Sequence, residues 1–146
     1  MDLTRIVLGA VADARAAGPD HRWRLVLPEE PVLVRGDEHR LSQVVANLLA
    51  NARTHTPAGT AVELRLELTV EGVELSVTDE GPGISAELLE RVFERFVRGD
   101  RARSRATGST GLGLAIVRAV VQAHGGTVEA ASRPGRTSFT VRLAGA

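Results

Sequence analysis

The sequence predicts an α/β fold in which helices cover one face of a sheet. Two adjacent segments, residues 62–70 and 73–79, alternate apolar and polar side chains, as in strands with one buried face. Glu71-Gly72 between them can turn the first strand back into the second as an antiparallel hairpin. Other segments repeat apolar residues at helical spacing. Because the strands have a single apolar face, we expect the helices on that side only.

The composition fits one domain and excludes several classes of function. The chain has 146 residues, of which 43% are hydrophobic, which is enough for a core of its own. Its formal net charge is zero, so a nucleic-acid partner is disfavoured. It has no cysteine for disulfide or thiolate chemistry, and no apolar run that would span a membrane. All 18 basic residues are arginine, so the lysine of a P-loop or of a protein-kinase strand is missing.

The first third of the chain predicts two helices and two short strands. Residues 2–17 have apolar side chains at helical spacing as far as Gly18-Pro19, and residues 22–27 and 32–34 are strand candidates. Residues 37–55 form a second helix with one continuous apolar stripe.

Asn47, Asn51 and His55 follow one another at four-residue spacing along one edge of that stripe. Asparagine is a poor residue for a helix interior, and amides beside a buried face destabilise the fold unless they have hydrogen-bond partners. The two amides are either solvated or they face a ligand or a hard cation such as Mg²⁺.

Asp79 ends the second strand of the hairpin and is followed by Gly81-Pro82-Gly83. Glycines allow a flat ligand to approach the backbone closely, and the proline stiffens the turn between them. Taken alone, the segment fits an ordinary turn as well as a ligand site, because aspartate and glycine are common turn formers.

The segment after this turn predicts a short helix and then a basic loop. Ser85 can cap a helix that runs to Arg91, and Phe93 and Phe96 are spaced as small core anchors. Residues 98–110 lack apolar periodicity and contain several arginines, so this loop is either solvated or a lid over an anion.

Residues 108–117 place glycines directly before an apolar helix that ends at His124, where Gly125-Gly126 stops it. The free N–H groups and the dipole at the start of such a helix favour an anion. The spacing Gly-x-x-Gly-x-Gly, after a loop, differs from the dinucleotide-binding fingerprint. Two final strands are expected, at 127–131 and around Phe139.

Four motifs resemble the sequence boxes of the catalytic, ATP-binding domain of bacterial sensor histidine kinases. They are the N box at 47–52 within helix 37–55, the G1 box at 79–84, the F box at 93–96 and the G2 box at 108–117, with the ATP lid at 98–110. The boxes occur in the family's order over almost the whole chain. The resemblance implies one domain, 1–146, with the Bergerat fold, a two-layer α/β sandwich whose mixed, mostly antiparallel sheet has helices on one face.

The resemblance also assigns an adenine pocket. Asp79 should accept a hydrogen bond from the adenine amino group, and Gly81, Gly83 and Ile84 should form the pocket around the ring. His55 stands where the family often has an aromatic residue against the nucleotide.

For the phosphates, the resemblance implies that Asn51 binds the Mg²⁺ ion that bridges them, with Asn47 beside it, and that Arg98 contacts the γ-phosphate. These three residues would be the catalytic ones. The backbone N–H groups expected to hold phosphates belong to Gly111, Leu112, Gly113 and Leu114.

The function implied is binding of Mg-ATP and transfer of its γ-phosphoryl group to a histidine on a separate dimerisation domain, in two-component signal transduction. Such transfer depends on positioning and charge neutralisation, so this domain needs no covalent nucleophile. In two departures from the family, Thr54 stands where Lys or Arg is frequent, and none of the four histidines lies in a phosphoacceptor motif. We therefore expect an excised, monomeric cytoplasmic domain of a membrane-bound kinase, whose partners are its dimerisation and phosphoacceptor helices and a response regulator.

Other functions share parts of this pattern. Gyrase-, chaperone- and mismatch-repair-type ATPases place a catalytic glutamate where this chain has Asn47, and an amide is not a general base at neutral pH. An anti-sigma-factor serine kinase and a nucleotide-binding regulatory module without catalysis remain as alternatives.

Overall fold

The computed structural model of the chain describes residues 1–94 and 113–145 as two layers, one of helices and one of strands. The helices are α1 Leu3–Ala17, α2 Glu38–Thr54, α3 Ala86–Glu90 and α4 Gly113–Ala123. The strands are β1 Arg22–Val26, β2 Ala61–Thr69, β3 Gly72–Asp79, β4 Thr127–Arg133 and β5 Arg136–Leu143. The expected hairpin and helices within these residues are therefore present.

The strands form one sheet in the order β1-β2-β3-β5-β4, so β3 is the central strand. β1 pairs with β2 in parallel, and the other three pairs are antiparallel. The sheet is thus mixed and mostly antiparallel, as the family resemblance implies.

The alternation of the strands sends one set of side chains into the core. On β3, the residues Val73, Leu75 and Val77 are buried, and the same row continues to Asp79. The opposite face is polar and carries exposed ion pairs such as Arg142 with Glu129, at 2.9 Å, which add little stability in water.

In the helical layer, α2 packs against α1 on one side and against α4 on the other. Asp37 caps α2, because its Oδ1 accepts a hydrogen bond from the N–H of Arg40 at 3.1 Å. The stripe that α2 buries consists of Leu41, Val44, Val45, Leu48, Leu49 and Ala52. These are the apolar positions that the helical spacing predicts, so the polar edge of α2 is fixed relative to the sheet.

His124 connects the end of α4 to the start of α2. Its Nδ1 lies 2.8 Å from the carbonyl oxygen of Val120, which can only accept, so this nitrogen donates. Its Nε2 then accepts from the N–H of Asp37 at 3.0 Å. One neutral imidazole therefore joins the two helices that border the candidate site described below.

Two details of the sequence prediction are corrected. Residues 32–34 form no strand of their own but only isolated bridges, in which Leu33 pairs with Asp2 and Val34 with Gly145. Leu68 and Val70 are exposed rather than buried. Leu68 is the second-to-last residue of β2 and still pairs with Val73, whereas Val70 lies beyond the end of the strand at Thr69.

Phe93 is a core anchor as expected, in edge-to-face contact with Phe139 at a centroid distance of 6.0 Å. Phe96 lies outside the described residues. Within residues 1–94 and 113–145, no helix is both long enough and apolar enough to cross a bilayer.

Candidate nucleotide-binding site

Asp79 is the last residue of the central strand and points into the core-facing row of side chains. It pairs with Val62 on one neighbouring strand and with Thr137 on the other. Only 6% of Asp79 and 4% of Thr137 is exposed. A carboxylate thus occupies a position where the alternation of β3 would place another apolar residue, and its desolvation opposes folding.

The charge of Asp79 is only partly compensated by the surrounding protein. Burial raises the pKa of its carboxyl group, while the N–H of Gly81 and the nearby imidazole of His21 lower it. The Gly81 N–H donates to Oδ1 at 3.0 Å. Within residues 1–94 and 113–145 this is the one hydrogen bond that Asp79 receives on its side chain, so the carboxylate can accept another from a ligand.

The turn after Asp79 needs both of its glycines. A Cβ atom built on Gly81 would lie 2.5 Å from Cγ2 of Thr56, so no larger residue fits between the turn and the end of α2. Gly83 has φ +92°, and a Cβ atom there would lie 2.7 Å from the carbonyl oxygen of Arg133. The turn is therefore held against the protein on both sides.

A small hydroxyl network fastens the far end of this turn to the β4–β5 hairpin. The N–H of Ile84 donates to Oγ of Ser132 at 2.7 Å, and Ser132 Oγ lies 2.7 Å from Oγ1 of Thr137. Neither Ser132 nor Thr137 is predicted from the sequence as a site residue. Thr137 continues the buried row of Phe139 and Val141 on β5, so its alternation was the signal that could have found it.

Asn47 and Asn51 lie on α2 as the four-residue spacing predicts, and both are half-buried. Nδ2 of Asn47 donates to the carbonyl oxygen of Gly113 at 3.3 Å, which joins the N box to the first residue of α4. His55 is exposed and caps the C-terminal end of α2, where its N–H donates to the carbonyl oxygen of Asn51 at 3.1 Å.

Only part of the expected phosphate site lies in the described residues. Gly113 begins α4, and the side chain of Leu114 is buried in the core, which leaves only its backbone for a ligand. Arg98, Gly111, Leu112 and the lid at 98–110 lie outside the described residues.

In the part of the chain that the structure describes, no three His, Cys, Asp or Glu residues are grouped so that they could hold a metal ion. A divalent cation at this site would therefore depend on amide oxygen and on oxygen atoms of the ligand or water. Mg²⁺ commonly binds in this way, with few protein ligands and several from phosphates.

Comparisons with known proteins show the family and the fold of the chain. Residues 36–145 match the family described as histidine kinase-, DNA gyrase B- and HSP90-like ATPase. The probable sensor histidine kinase TcrY of Mycobacterium tuberculosis is 59% identical over 98% of this chain, which covers 30% of TcrY. The sensor-like histidine kinase SenX3 of the same organism is 50% identical over 98% of this chain, which covers 35% of SenX3. The chain thus spans about a third of the length of these relatives.

Solved structures show the same architecture. The mycobacterial sensor histidine kinase MprB is 35% identical with a TM-score of 0.86, and the alignment covers 99% of this chain and 97% of that one. The ATP-binding domain of PrrB from Mycobacterium tuberculosis is 31% identical with a TM-score of 0.80, over 100% of this chain and 96% of that one. The chain therefore belongs to the histidine kinase-, DNA gyrase B- and HSP90-like ATPase family, and within it to the ATP-binding catalytic domains of sensor histidine kinases.

Proposed function

We propose that this domain binds Mg-ATP and transfers the γ-phosphoryl group to a histidine on the dimerisation domain of its parent kinase. The observation that supports this most strongly is the buried carboxylate of Asp79 at the end of the central strand. This carboxylate can accept a further hydrogen bond. The turn beside it has no room for a Cβ atom at Gly81 or Gly83. A buried acceptor of this kind destabilises the fold unless a ligand uses it.

At the adenine end, Asp79 accepts a hydrogen bond from the exocyclic amino group. The wall of the adenine pocket is formed by Gly81, Gly83 and Ile84. The C-terminal end of α2 borders this pocket, and His55 lies there. The hydrogen bond of Ile84 to Ser132 supports this arrangement, since it fixes the turn before a ligand arrives.

At the phosphate end, Asn51 would hold the Mg²⁺ ion through its amide oxygen, and Asn47 lies one helical turn earlier. The ion would neutralise charge on the phosphate oxygens. The bond between Asn47 and the Gly113 carbonyl supports a shared role for the two elements, because it keeps the start of α4 next to the asparagines. Backbone N–H groups of Gly111, Leu112, Gly113 and Leu114, together with Arg98, would bind the phosphates.

The acceptor histidine would come from a separate part of the kinase. None of the four histidines fits that role. His21 and His124 are engaged in structural hydrogen bonds, His39 lies on the exposed side of α2, and His55, the C-cap of α2, is assigned to the adenine end of the site. The domain would act on the dimerisation and phosphoacceptor helices of its parent, and a response regulator would then take the phosphoryl group. We place it in the cytoplasm as one monomeric unit of a membrane-bound sensor.

Phosphoryl transfer can be tested with ATP labelled in its γ-phosphate and with the dimerisation and phosphoacceptor helices of the parent kinase as the acceptor. We expect label on those helices that survives alkali and is lost in acid, as for a phosphohistidine. Acid-stable label on a serine of a partner would instead support a serine kinase. Tight binding of Mg-ATP with no transfer to any acceptor would favour a regulatory module. The Asp79→Asn variant serves as the control and should transfer far less label at an ATP concentration that half-saturates the unaltered chain.

A further inference from the structure

Thr56, directly after the C-cap of α2, contacts the turn that follows Asp79 but has no role in the assignments above. Its hydroxyl donates to the carbonyl oxygen of Ala52 at 2.6 Å. The single hydroxyl hydrogen is thereby used, so Nε2 of His21, at 2.8 Å from Oγ1, must donate to Thr56. These two bonds, one from the helix and one from the segment before β1, select one rotamer of the Thr56 side chain.

The position of His21 is itself fixed by the backbone on both sides. The backbone N–H of His21 donates to the carbonyl oxygen of Gly18 at 3.2 Å. The N–H of the next residue, Arg22, donates to the carbonyl oxygen of Thr60 at 3.0 Å. The imidazole is also packed against Trp23, with ring centroids 5.7 Å apart. The donor that orients Thr56 is therefore held in place by the start of the parallel strand pair.

In this rotamer the methyl group of Thr56 lies against Gly81. A Cβ atom on Gly81 would be 2.5 Å from Cγ2 and 3.3 Å from Cβ of Thr56. Gly81 in turn donates its N–H to Oδ1 of Asp79 at 3.0 Å. A shift of the methyl group would move Gly81, and with it the orientation of the carboxylate.

We propose that Thr56 is a positioning residue for the adenine end of the site, which sets the place of the Gly81 backbone and of the Asp79 carboxylate through its methyl group. This inference rests on the proposed adenine contact of Asp79. Thr56 acts through Gly81 and not by touching the nucleotide. Its hydroxyl serves to orient the methyl group, so the methyl group should matter more for binding than the hydroxyl.

The substitutions Thr56→Ser and Thr56→Val separate the two groups. Serine keeps the hydroxyl and loses the methyl, whereas valine has nearly the shape of threonine and loses the hydroxyl. We expect Thr56→Ser to weaken the binding of ATP and of ADP about tenfold each, and Thr56→Val to weaken the binding of both by only about threefold. Because the effect lies at the adenine end, the ratio of ATP to ADP affinity and its response to Mg²⁺ should equal those of the unaltered chain.

Thr4→Val is the matched control. The hydroxyl of Thr4, near the start of α1, accepts a hydrogen bond from the N–H of Val32 at 2.9 Å. In the same region, Val34 pairs with Gly145, which lies beyond the end of β5. This variant also loses a partly buried threonine hydroxyl, so its unfolding midpoint should fall while its nucleotide affinity stays unchanged. Calorimetric titration and thermal unfolding without nucleotide would be measured for all variants.

Asp79→Asn is titrated alongside to separate two kinds of failure. Absence of ATP binding in the unaltered chain, or equal binding by folded Asp79→Asn, would overturn the adenine assignment and this inference with it. If Asp79 proves essential but Thr56→Ser binds as the unaltered chain does, or Thr56→Val binds more weakly than Thr56→Ser, the positioning role alone is overturned.

Discussion

The two ends of the central sheet differ in what they bury. Where β3 ends and β5 begins, the core-facing positions include Asp79 and Thr137, with Thr60 just before β2. These are the buried polar residues of the part of the chain that the structure describes. At the opposite end, beside the β2–β3 turn, the same rows contain Val73 and Leu143.

The two ends of the sheet therefore contribute differently to the free energy of folding. Apolar residues at the turn end contribute to folding through burial, whereas a buried carboxylate opposes it. The two ends belong to one sheet and share one register, so local strand propensity does not explain the difference. We infer that the Asp79 end is shaped for its ligand and the turn end for stability, and substitutions at each end should separate these roles.

The largest effect is expected for Asp79→Asn. An amide of similar size replaces the charged acceptor, so ATP affinity should fall by about a hundredfold, since a hydrogen bond to a charged group contributes roughly 1.5–3 kcal/mol. Calorimetric titration measures this change. Equal affinity in a folded variant would contradict the adenine contact.

The same substitution should stabilise the protein without ligand. Burial raises the pKa of Asp79 in the folded state, so its protonated form folds better than its carboxylate. The raised pKa of Asp79 adds to the free energy of unfolding, and this addition is fully present below the pKa that Asp79 has in the unfolded chain. It is lost as the pH rises through the pKa that Asp79 has in the folded protein. In urea unfolding, Asp79→Asn should be more stable than the unaltered chain at neutral pH, with the difference shrinking toward about pH 4.

Val73→Ala should have the opposite profile. Val73 is buried at the turn end, opposite Leu143, so truncation should lower the free energy of unfolding by about 2 kcal/mol. ATP affinity of the folded protein should remain within about twofold, because the proposed adenine contact of Asp79 lies at the other end of β3. A large loss of affinity without loss of stability would remove the distinction between the two ends.

Asn51→Ala tests the phosphate side of the proposal. Loss of the amide oxygen should remove most of the Mg²⁺ dependence of ATP binding, about a tenfold effect, and leave binding of Mg²⁺-free ATP nearly unchanged. Titrations with the ion and with a chelator measure both values. The matched control is Gln43→Ala, which removes a side-chain amide from the exposed side of the same helix and should leave the dependence as it is. An unchanged dependence in Asn51→Ala would move the metal site elsewhere.

Ser132→Ala should have the smallest effect. It removes the acceptor of the Ile84 N–H and the partner of Thr137, which should lower the free energy of unfolding by about 1 kcal/mol. Because the turn then loses one of its fixed ends, ATP affinity should fall about threefold. Ser42→Ala, a serine on α2 away from this network, is the control. Loss of stability alone would limit Ser132 to a structural role.

The fold could be predicted largely from the sequence because the relevant signals are local. Alternation between Val73 and Val77 locates β3 and places Asp79 at its end, and four-residue spacing puts Asn47 and Asn51 on one side of α2. The prediction that Val70 is buried is wrong because alternation does not show where a strand stops pairing.

The hydrogen bonds that hold the site residues in place could not be predicted in this way. Ser132 and Ile84 are 48 positions apart, and His21 and Thr56 are 35 apart, so only the folded sheet brings them together. Serine, threonine and histidine are also frequent in loops and at helix ends, which gives them no distinctive pattern. The roles of Arg98, of the glycines before Gly113 and of the other site residues toward the nucleotide stay predictions.

The most direct test of the central claim is the pKa of the Asp79 carboxyl group, measured by nuclear magnetic resonance with and without ADP. Without nucleotide, burial should keep this pKa above the ordinary value for aspartate. A hydrogen bond from the adenine amino group favours the charged form, so bound ADP should lower it. If saturating ADP leaves the pKa of Asp79 unchanged, the carboxylate does not contact the nucleotide, and its burial at the end of β3 must have another cause.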